Sequence, residues 1–485
     1  MSLNKQVIIG LSWNFKTQIS IQVINFVVGI LLMRLLSPDD FGKFAMVFII
    51  IRFLKIFSDL GLSAAIIQRQ DLDDLYLSTA FWFQLMTALI VSTSLLFFGN
   101  LFNAFYGEEI LDQISFWFGI DFFIGTLSII PFALLQKKLN FKALFKINLT
   151  AVSVSSVVGI FMALNGMSIF SLVAKMLTWT TVNSIGAFWL IKWRPIFSFS
   201  SQSLSTLLKF GLPATGNRIL SYLVRNSDDF FIGRVIGASA LGLYNRAYML
   251  MMLPMGNITS VISNVLFPSW SRMQDDISEI KRLYIKISGI IAFVSFPLMT
   301  LLSFLAEPTV LLLFGEQWVK MSTVLSILCL IGMLQSVGAL IGLIYIVFDK
   351  NALLLKINLI ISGAMILVII GSIYLFRSIE ITALSYAITS LLAAFPSFHY
   401  AGKIINATFI ELIQPLIFPL IISIFISAIG WVMYNLIPTD INFIKLLLSG
   451  IFSLIIYFFL TLKFNGHVID ELSSFLKQYK SSLNE

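Results

Sequence analysis

The chain has 485 residues, 58% of them hydrophobic and 12% charged, and a formal net charge of +8. Soluble proteins carry about 25% charged residues, so this composition excludes a soluble domain. The basic excess sits mostly in short loops on one side, and no basic face with interleaved aromatics argues for nucleic acid.

The mean hydropathy is +0.94, and the apolar residues arrive in repeated runs long enough to cross a bilayer. The expected fold is therefore all-α and integral to a membrane, with about fourteen transmembrane helices. The first run, 7–36, has no small-residue cleavage site and reads as a permanent span rather than a signal peptide. Five more follow at 41–67, 78–98, 114–135, 147–164 and 168–191. The linker 192–205, with Trp193-Arg194-Pro195 and a Ser-rich run, is the best internal boundary. Beyond it lie spans at 208–237, 240–267, 283–305, 323–348, 353–376 and 381–401, and then two more at 412–436 and 443–462. The division is an N-lobe over 1–200, a C-lobe over 201–405, two added helices over 406–465 and a tail over 466–485. In that tail Ile469, Leu472, Phe475, Leu476 and Tyr479 recur at helical spacing, which fits a helix lying on the membrane surface or a solubilising tail. Lys5, the lysines between 137 and 146, Lys192, Arg194, Lys281 and Arg282 fall on one side. Glu108, Glu109, Asp112, Glu307 and Glu316 fall on the other. Both termini are expected in the cytoplasm. The single Cys329 excludes an intrachain disulfide and a cysteine-based metal site.

The two halves echo each other. RLLSPDDFG at 34–42 matches RVIGASALG at 234–242, and FYGEE at 105–109 matches LFGEQ at 313–317. Lys146-Ile147-Asn148-Leu149 recurs as Lys356-Ile357-Asn358-Leu359. An even number of helices per copy returns the chain to the same side, so the two copies are expected to be parallel, with a site between them near mid-bilayer.

Charges inside the spans are the functional signal, because each ion at the bilayer centre costs about 2.5–3.5 kcal/mol on insertion scales. The stretch 208–237 carries Arg218, Arg225, Asp228, Asp229 and Arg234; the spacing of Arg218, Arg225 and Asp229 puts them on one helical face. That face must meet protein or water, and it reads as one wall of a polar transporter cavity. On the second helix Arg52, Lys55 and Asp59 again share a face. Counted from Phe41, Arg52 lies roughly 16 Å deep, close to the midplane. Lys16 and Arg218 sit at comparable depth, whereas Asp121, Lys175 and Arg246 are placed shallower, toward the outer side. One reading is a cavity lined by Lys16, Arg52, Lys55, Arg218 and Arg225 that attracts an anion such as a pyrophosphate, whose oxygens the planar guanidinium bonds in pairs. The other is mutual neutralisation, Asp59 with Lys55 and Asp228 or Asp229 with Arg225. The spacing favours that pairing for Lys55 and Asp59. Arg52 and Arg218 have no acid three or four residues away, which favours a functional role and leaves a cross-helix partner open. Asp121 is also a candidate proton- or cation-coupling group. Catalysis has little to stand on: His399 and His467 lie at or beyond helix ends, and no phosphate loop, metal-ligand cluster or nucleophile motif is present.

The stretches DDFGKFAMV (39–47), IIQRQDLDDLYLSTAFW (66–82), GASALGLYNRAYML (237–250), VLFPSWSRMQDD (265–276) and LFGEQWVKMSTVLSILCLIGMLQSVG (313–338) resemble Wzx-type polysaccharide flippases. The resemblance is to the colanic-acid branch of the multidrug/oligosaccharidyl-lipid/polysaccharide exporter superfamily. It implies a bundle of two six-helix lobes plus two helices in a bacterial inner membrane. It also implies translocation of an undecaprenyl-pyrophosphate-linked oligosaccharide, with membrane lipids, a polysaccharide polymerase and chain-length machinery as candidate partners. The family's basic cavity would carry over onto Arg52, Arg218 and Arg225, with Lys16 and Lys55 beside them. No bound cofactor is implied; H+ or Na+ coupling would fall to Asp121, Asp59 or Asp228. The rival readings are a drug exporter of the same superfamily, expected to bind cations with carboxylates, and a membrane polymerase or transferase.

Overall fold

The computed structural model describes residues 3–69, 72–254, 266–439 and 441–484. Every regular element in them is helical. Ten segments are long and apolar enough to cross a membrane, and many outward side chains, such as Phe97, Val157, Trp189, Leu375 and Leu392, are apolar and exposed. Such a surface is stable only against lipid, because water would drive it to aggregate. The protein is a multi-pass membrane protein.

The first compact unit covers 1–242. It contains α1 (Leu3–Leu35), α2 (Pro38–Asp59), α3 (Leu62–Gln68), α4 (Asp74–Tyr106), α5 (Leu111–Leu127), α6 (Ile129–Lys137), α7 (Phe141–Leu164), α8 (Ile169–Ile191) and α9 (Ser201–Val235). Helix α2 begins at a capping box. Ser37 accepts from the Asp40 N–H at 3.2 Å, and Asp40 accepts from the Ser37 N–H at 3.0 Å. The sequence reads one helix over 41–67, but the chain breaks at Leu60-Gly61, where both residues are left-handed. The Asp59 carboxylate there accepts from the Ser63 N–H at 3.0 Å, satisfying a donor at the start of α3 that has no partner within its own helix. The span expected over 114–135 is one candidate span, Leu111–Lys137, in which α5 and α6 adjoin at Ser128, whose backbone stays in the right-handed helical region. The linker after α8 is strapped to α4: Trp82 Nε1 donates to the Ile196 carbonyl at 2.8 Å, and the Ile196 and Ser200 N–H groups donate to Ser78 and Thr79 hydroxyls at 3.0 Å each. Helix α9, placed by the linker at the head of the C-lobe, packs here on α2, α3 and α4.

The second unit covers 243–485. Most of α10 (Ala238–Met252) belongs to it, and the remainder of the span expected over 240–267 lies outside the described residues up to 265. Then come α11 (Phe267–Arg272), α12 (Ile277–Phe304), α13 (Ala306–Phe314), α14 (Met321–Val347), α15 (Asn351–Phe376), α16 (Ile379–Ile404), α17 (Phe409–Leu436) and α18 (Asn442–Asn484). Trp270, Trp318, Tyr244, Tyr284 and Tyr345 are its largest fully buried side chains among the described residues. Helix α18 runs without a break from the last span into the tail; the tail's side chains from 465 on fall outside what is described.

The internal repeat is visible in the packing. In the first unit α4 pairs with α5, α5 with α8, and α7 with α8. In the second α12 pairs with α14, α14 with α16, and α15 with α16. The first matched motif also has a physical use. A Cβ on Gly42 would lie 1.7 Å from the Ala238 carbonyl oxygen, and one on Gly242 would lie 2.0 Å from the Pro38 carbonyl oxygen. Positions 38 and 238, and 42 and 242, are matched residues of the two copies, so the repeats meet reciprocally, backbone on backbone.

Candidate functional site

Helices α2, α5, α8 and α9 bring the deep charges together within the first unit. Lys55 Nζ, on α2, donates to Asp121 Oδ2 on α5 at 2.9 Å, and Thr180 Oγ1, on α8, donates to Asp121 Oδ1 at 2.5 Å. Asp121 is fully buried while the Lys55 side chain stays 39% exposed. A buried carboxylate is tolerated only with such compensation. One turn further along α2, Asp59 Oδ2 accepts from Arg218 Nη1 of α9 at 2.8 Å, and Oδ1 accepts from both the N–H and the hydroxyl of Ser63. Arg218 is half exposed, so this pair borders open space rather than a dry interface.

The pairing of Lys55 with Asp59 favoured by sequence spacing is therefore wrong. Each prefers a partner on another helix, because Asp59 turns past the end of α2 toward Ser63 and Arg218. Asp121, on α5, stands beside Lys55 of α2. Arg52 and Arg225 are exposed, and among the described residues no carboxylate lies within ion-pair distance of either. Arg52 rests against the Phe48 ring, with Cζ 5.2 Å from the centroid. Lys16 on α1 is exposed and stands 4.9 Å over the Trp13 ring, also without an acidic partner among the described residues. Asp228 is half buried and has an interaction partner of its own. The α2–α9 contact is pinned by the Tyr222 hydroxyl, which donates to the Ile49 carbonyl at 2.5 Å, and by the Phe53 and Tyr222 rings, 5.8 Å apart. Arg52 and Lys55 thus stand three residues apart on α2, and Arg218 reaches that helix from α9 through its bond to Asp59.

Next to Lys55 and Asp59 the unit encloses a cavity of about 640 Å³. Sequence reasoning missed its walls. They include Asn14 and Thr17 of α1, Asn148 of α7, and Trp179, Thr180 and Asn183 of α8. The available signal was the set of amide side chains within otherwise apolar spans, which a search limited to charges passes over.

Residues 31–323 match the family described as "Polysaccharide biosynthesis protein". The chain is 28% identical over 340 residues to the teichuronic acid biosynthesis protein TuaB of Bacillus subtilis, covering 69% of this chain and 70% of that one. It is 28% identical over 348 residues to the lipopolysaccharide biosynthesis protein WzxC of Escherichia coli, covering 70% of each. In fold it is similar to an inward closed conformation of the lipid II flippase MurJ. The TM-score is 0.72 at 16% identity, over 93% of this chain and 99% of that one.

Proposed function

We propose that this chain, which belongs to the polysaccharide biosynthesis protein family, is a flippase. It carries an undecaprenyl-pyrophosphate-linked oligosaccharide across the bacterial inner membrane for exopolysaccharide, O-antigen or capsule assembly. The observation that carries the reading is the exposed guanidinium of Arg52, which has no acidic partner among the described residues and lies on the same helix as Lys55, against which α9 with Arg218 packs. Cations so deep in a membrane segment persist where they meet a counter-ion that comes and goes. In this reading Arg52, Lys55, Arg218 and Arg225, with Lys16 beside them, hold the pyrophosphate while the lipid tail stays in the bilayer. Rocking of the lobes 1–200 and 201–405 exposes the headgroup alternately to each side, both termini staying in the cytoplasm. The step is coupled to H+ or Na+ through Asp121, Asp59 or Asp228. The relatives' names in teichuronic acid and lipopolysaccharide biosynthesis agree with a glycan cargo.

A deletion strain should lack surface polymer and accumulate lipid-linked repeat units on the cytoplasmic face, and the wild-type gene should reverse both. Uniformly shortened chains would instead point to a polymerase. Efflux of organic cations by purified protein in vesicles, with no effect on lipid-linked sugar, would replace this reading with a drug exporter.

A further inference from the structure

We infer that the apolar hollow of the second unit, about 660 Å³, holds one acyl chain of an inner-leaflet phospholipid, whose anionic headgroup meets Lys403 and His399. The choice of leaflet rests on the orientation proposed above; the site itself is built from the second unit alone.

Every side chain that lines the hollow, from α12, α14, α16 and α17, is apolar. Pro396 lies inside α16, and Pro415 and Pro419 lie inside α17. A proline within a helix lacks its N–H and crowds the carbonyl four residues back, so it bends the helix. Helices bent in this way stay parted instead of closing on each other. On α16, Ile388, Leu391 and Phe395 line the gap and are 51, 61 and 57% exposed, so it opens sideways from a membrane span. Water finds no polar partner there, and the solvent at that depth is hydrocarbon.

The length suits a single leaflet. From Leu384 to Phe398 the lining of α16 runs for about 21 Å at the helical rise, whereas one leaflet's share of the hydrocarbon core is about 15 Å. An extended acyl chain lies within the groove, while an undecaprenyl chain is several times too long for it.

The inner end carries the headgroup chemistry. Phe395, His399 and Lys403 follow one another at spacings of four, so the stripe that lines the groove runs on to a histidine and a lysine. The His399 ring lies nearly parallel to that of Phe395, 6.0 Å away, and offers an N–H to a phosphate oxygen. Lys403 is exposed, with Nζ 5.4 Å from the Tyr400 ring, and among the described residues no carboxylate lies within ion-pair distance of it. The nearby Glu411 is committed, Oε1 to Lys281 at 2.7 Å and Oε2 to the Thr408 N–H at 2.8 Å.

The first copy fills the matching furrow with protein. The numbering offset between the Lys146 and Lys356 motifs carries Phe188 onto Phe398 and Trp193 onto Lys403. In the first unit Phe188 and Trp193 pack on Phe81, with centroids 6.2 and 6.0 Å from its ring. In the second, Phe398 borders the hollow and a lysine stands where the indole plug would be.

The test follows thermal unfolding of the full-length chain, purified in detergent and stripped of lipid, as lipids are added back. Palmitoyl-oleoyl phosphatidylglycerol should raise the wild-type midpoint by about 5 °C, and phosphatidylethanolamine with the same chains should raise it clearly less. Lys403→Gln should bring the phosphatidylglycerol shift down to the phosphatidylethanolamine level. Ala387→Phe, which fills the groove, should abolish both shifts, and a lipid-free midpoint at or above that of wild type shows that it is folded. If Ala387→Phe unfolds early, Lys403→Gln decides alone. No shift in the wild type, equal shifts with the two lipids, or a phosphatidylglycerol shift that Lys403→Gln leaves whole overturns the site. Loss of the phosphatidylglycerol preference on adding undecaprenyl phosphate at equal concentration would give the groove to the cargo's tail and overturn it too. None of these outcomes bears on the flippase reading.

Discussion

The two units hold cavities of nearly equal size and opposite chemistry. In the first, about 640 Å³ is walled by amides, hydroxyls and the Lys55 and Asp59 side chains. In the second, about 660 Å³ is walled almost wholly by Phe296, Leu334, Leu391, Phe398, Leu420 and similar side chains from α12, α14, α16 and α17. The second unit's Lys281–Glu411 and Arg282–Glu279 ion pairs lie at helix ends. The numbering offset between the matched motifs carries Asp121 onto 329–331, a stretch reading Cys-Leu-Ile, and two of those residues line the apolar cavity. The two cavities thus differ in what they offer, hydrogen-bonding groups in the first and hydrocarbon in the second.

The largest test of that contrast removes the cations. Arg52→Ala and Arg218→Ala should each cut the rate of polymer export roughly ten- to hundredfold, the loss of one charged hydrogen-bonding partner, with the protein still reaching the membrane. Arg→Lys at either position should rescue only part, since a point charge replaces a planar fork. Radiolabelled sugar reaching the cell surface measures both; unchanged export from both Ala variants would make these residues structural.

Next is the Lys55–Asp121 pair. Asp121→Leu strands Lys55 and should lower stability by about 2 kcal/mol, less than for a fully buried pair because Lys55 is partly solvated. The double variant Lys55→Leu with Asp121→Leu should recover most of that stability in thermal unfolding, yet export should stay impaired. Full recovery of both would mean that the first cavity tolerates the chemistry of the second. In the apolar cavity the expectation reverses: Ala394→Leu should raise stability by about 1 kcal/mol and leave export within about twofold of wild type. The smallest effect belongs to Ser295→Ala, which removes a 3.0 Å hydroxyl pair between α12 and α14. It should cost about 0.6 kcal/mol, the usual worth of an interhelical hydrogen bond in a membrane, read from the unfolding midpoint.

Hydropathy made the helical membrane fold legible, because a span must satisfy its backbone internally and show apolar side chains to lipid. Hydropathy passed over the breaks at Leu60-Gly61 and Ser128, although Asp59, Gly61 and Pro131 mark them in the sequence. Exposed Arg52 could be read from its lack of a local acid. The partners of Lys55 and Asp59 could not: they lie 66 and 159 residues away, on helices whose mutual rotation no local spacing reveals. Asn183 and Trp179 were invisible for a different reason. Single amides and indoles are common enough in spans that only their convergence on one hollow gives them meaning.

The reciprocal glycine crossing ties the history of the two copies together. A methyl group added at position 42 collides with a carbonyl belonging to the other copy, and one added at 242 collides with the matching carbonyl in return. No change of rotamer can relieve either collision, and a substitution at one glycine finds no relief in its counterpart. However far the duplicated halves drift apart in charge and cavity chemistry, this one seam obliges both to keep a bare backbone.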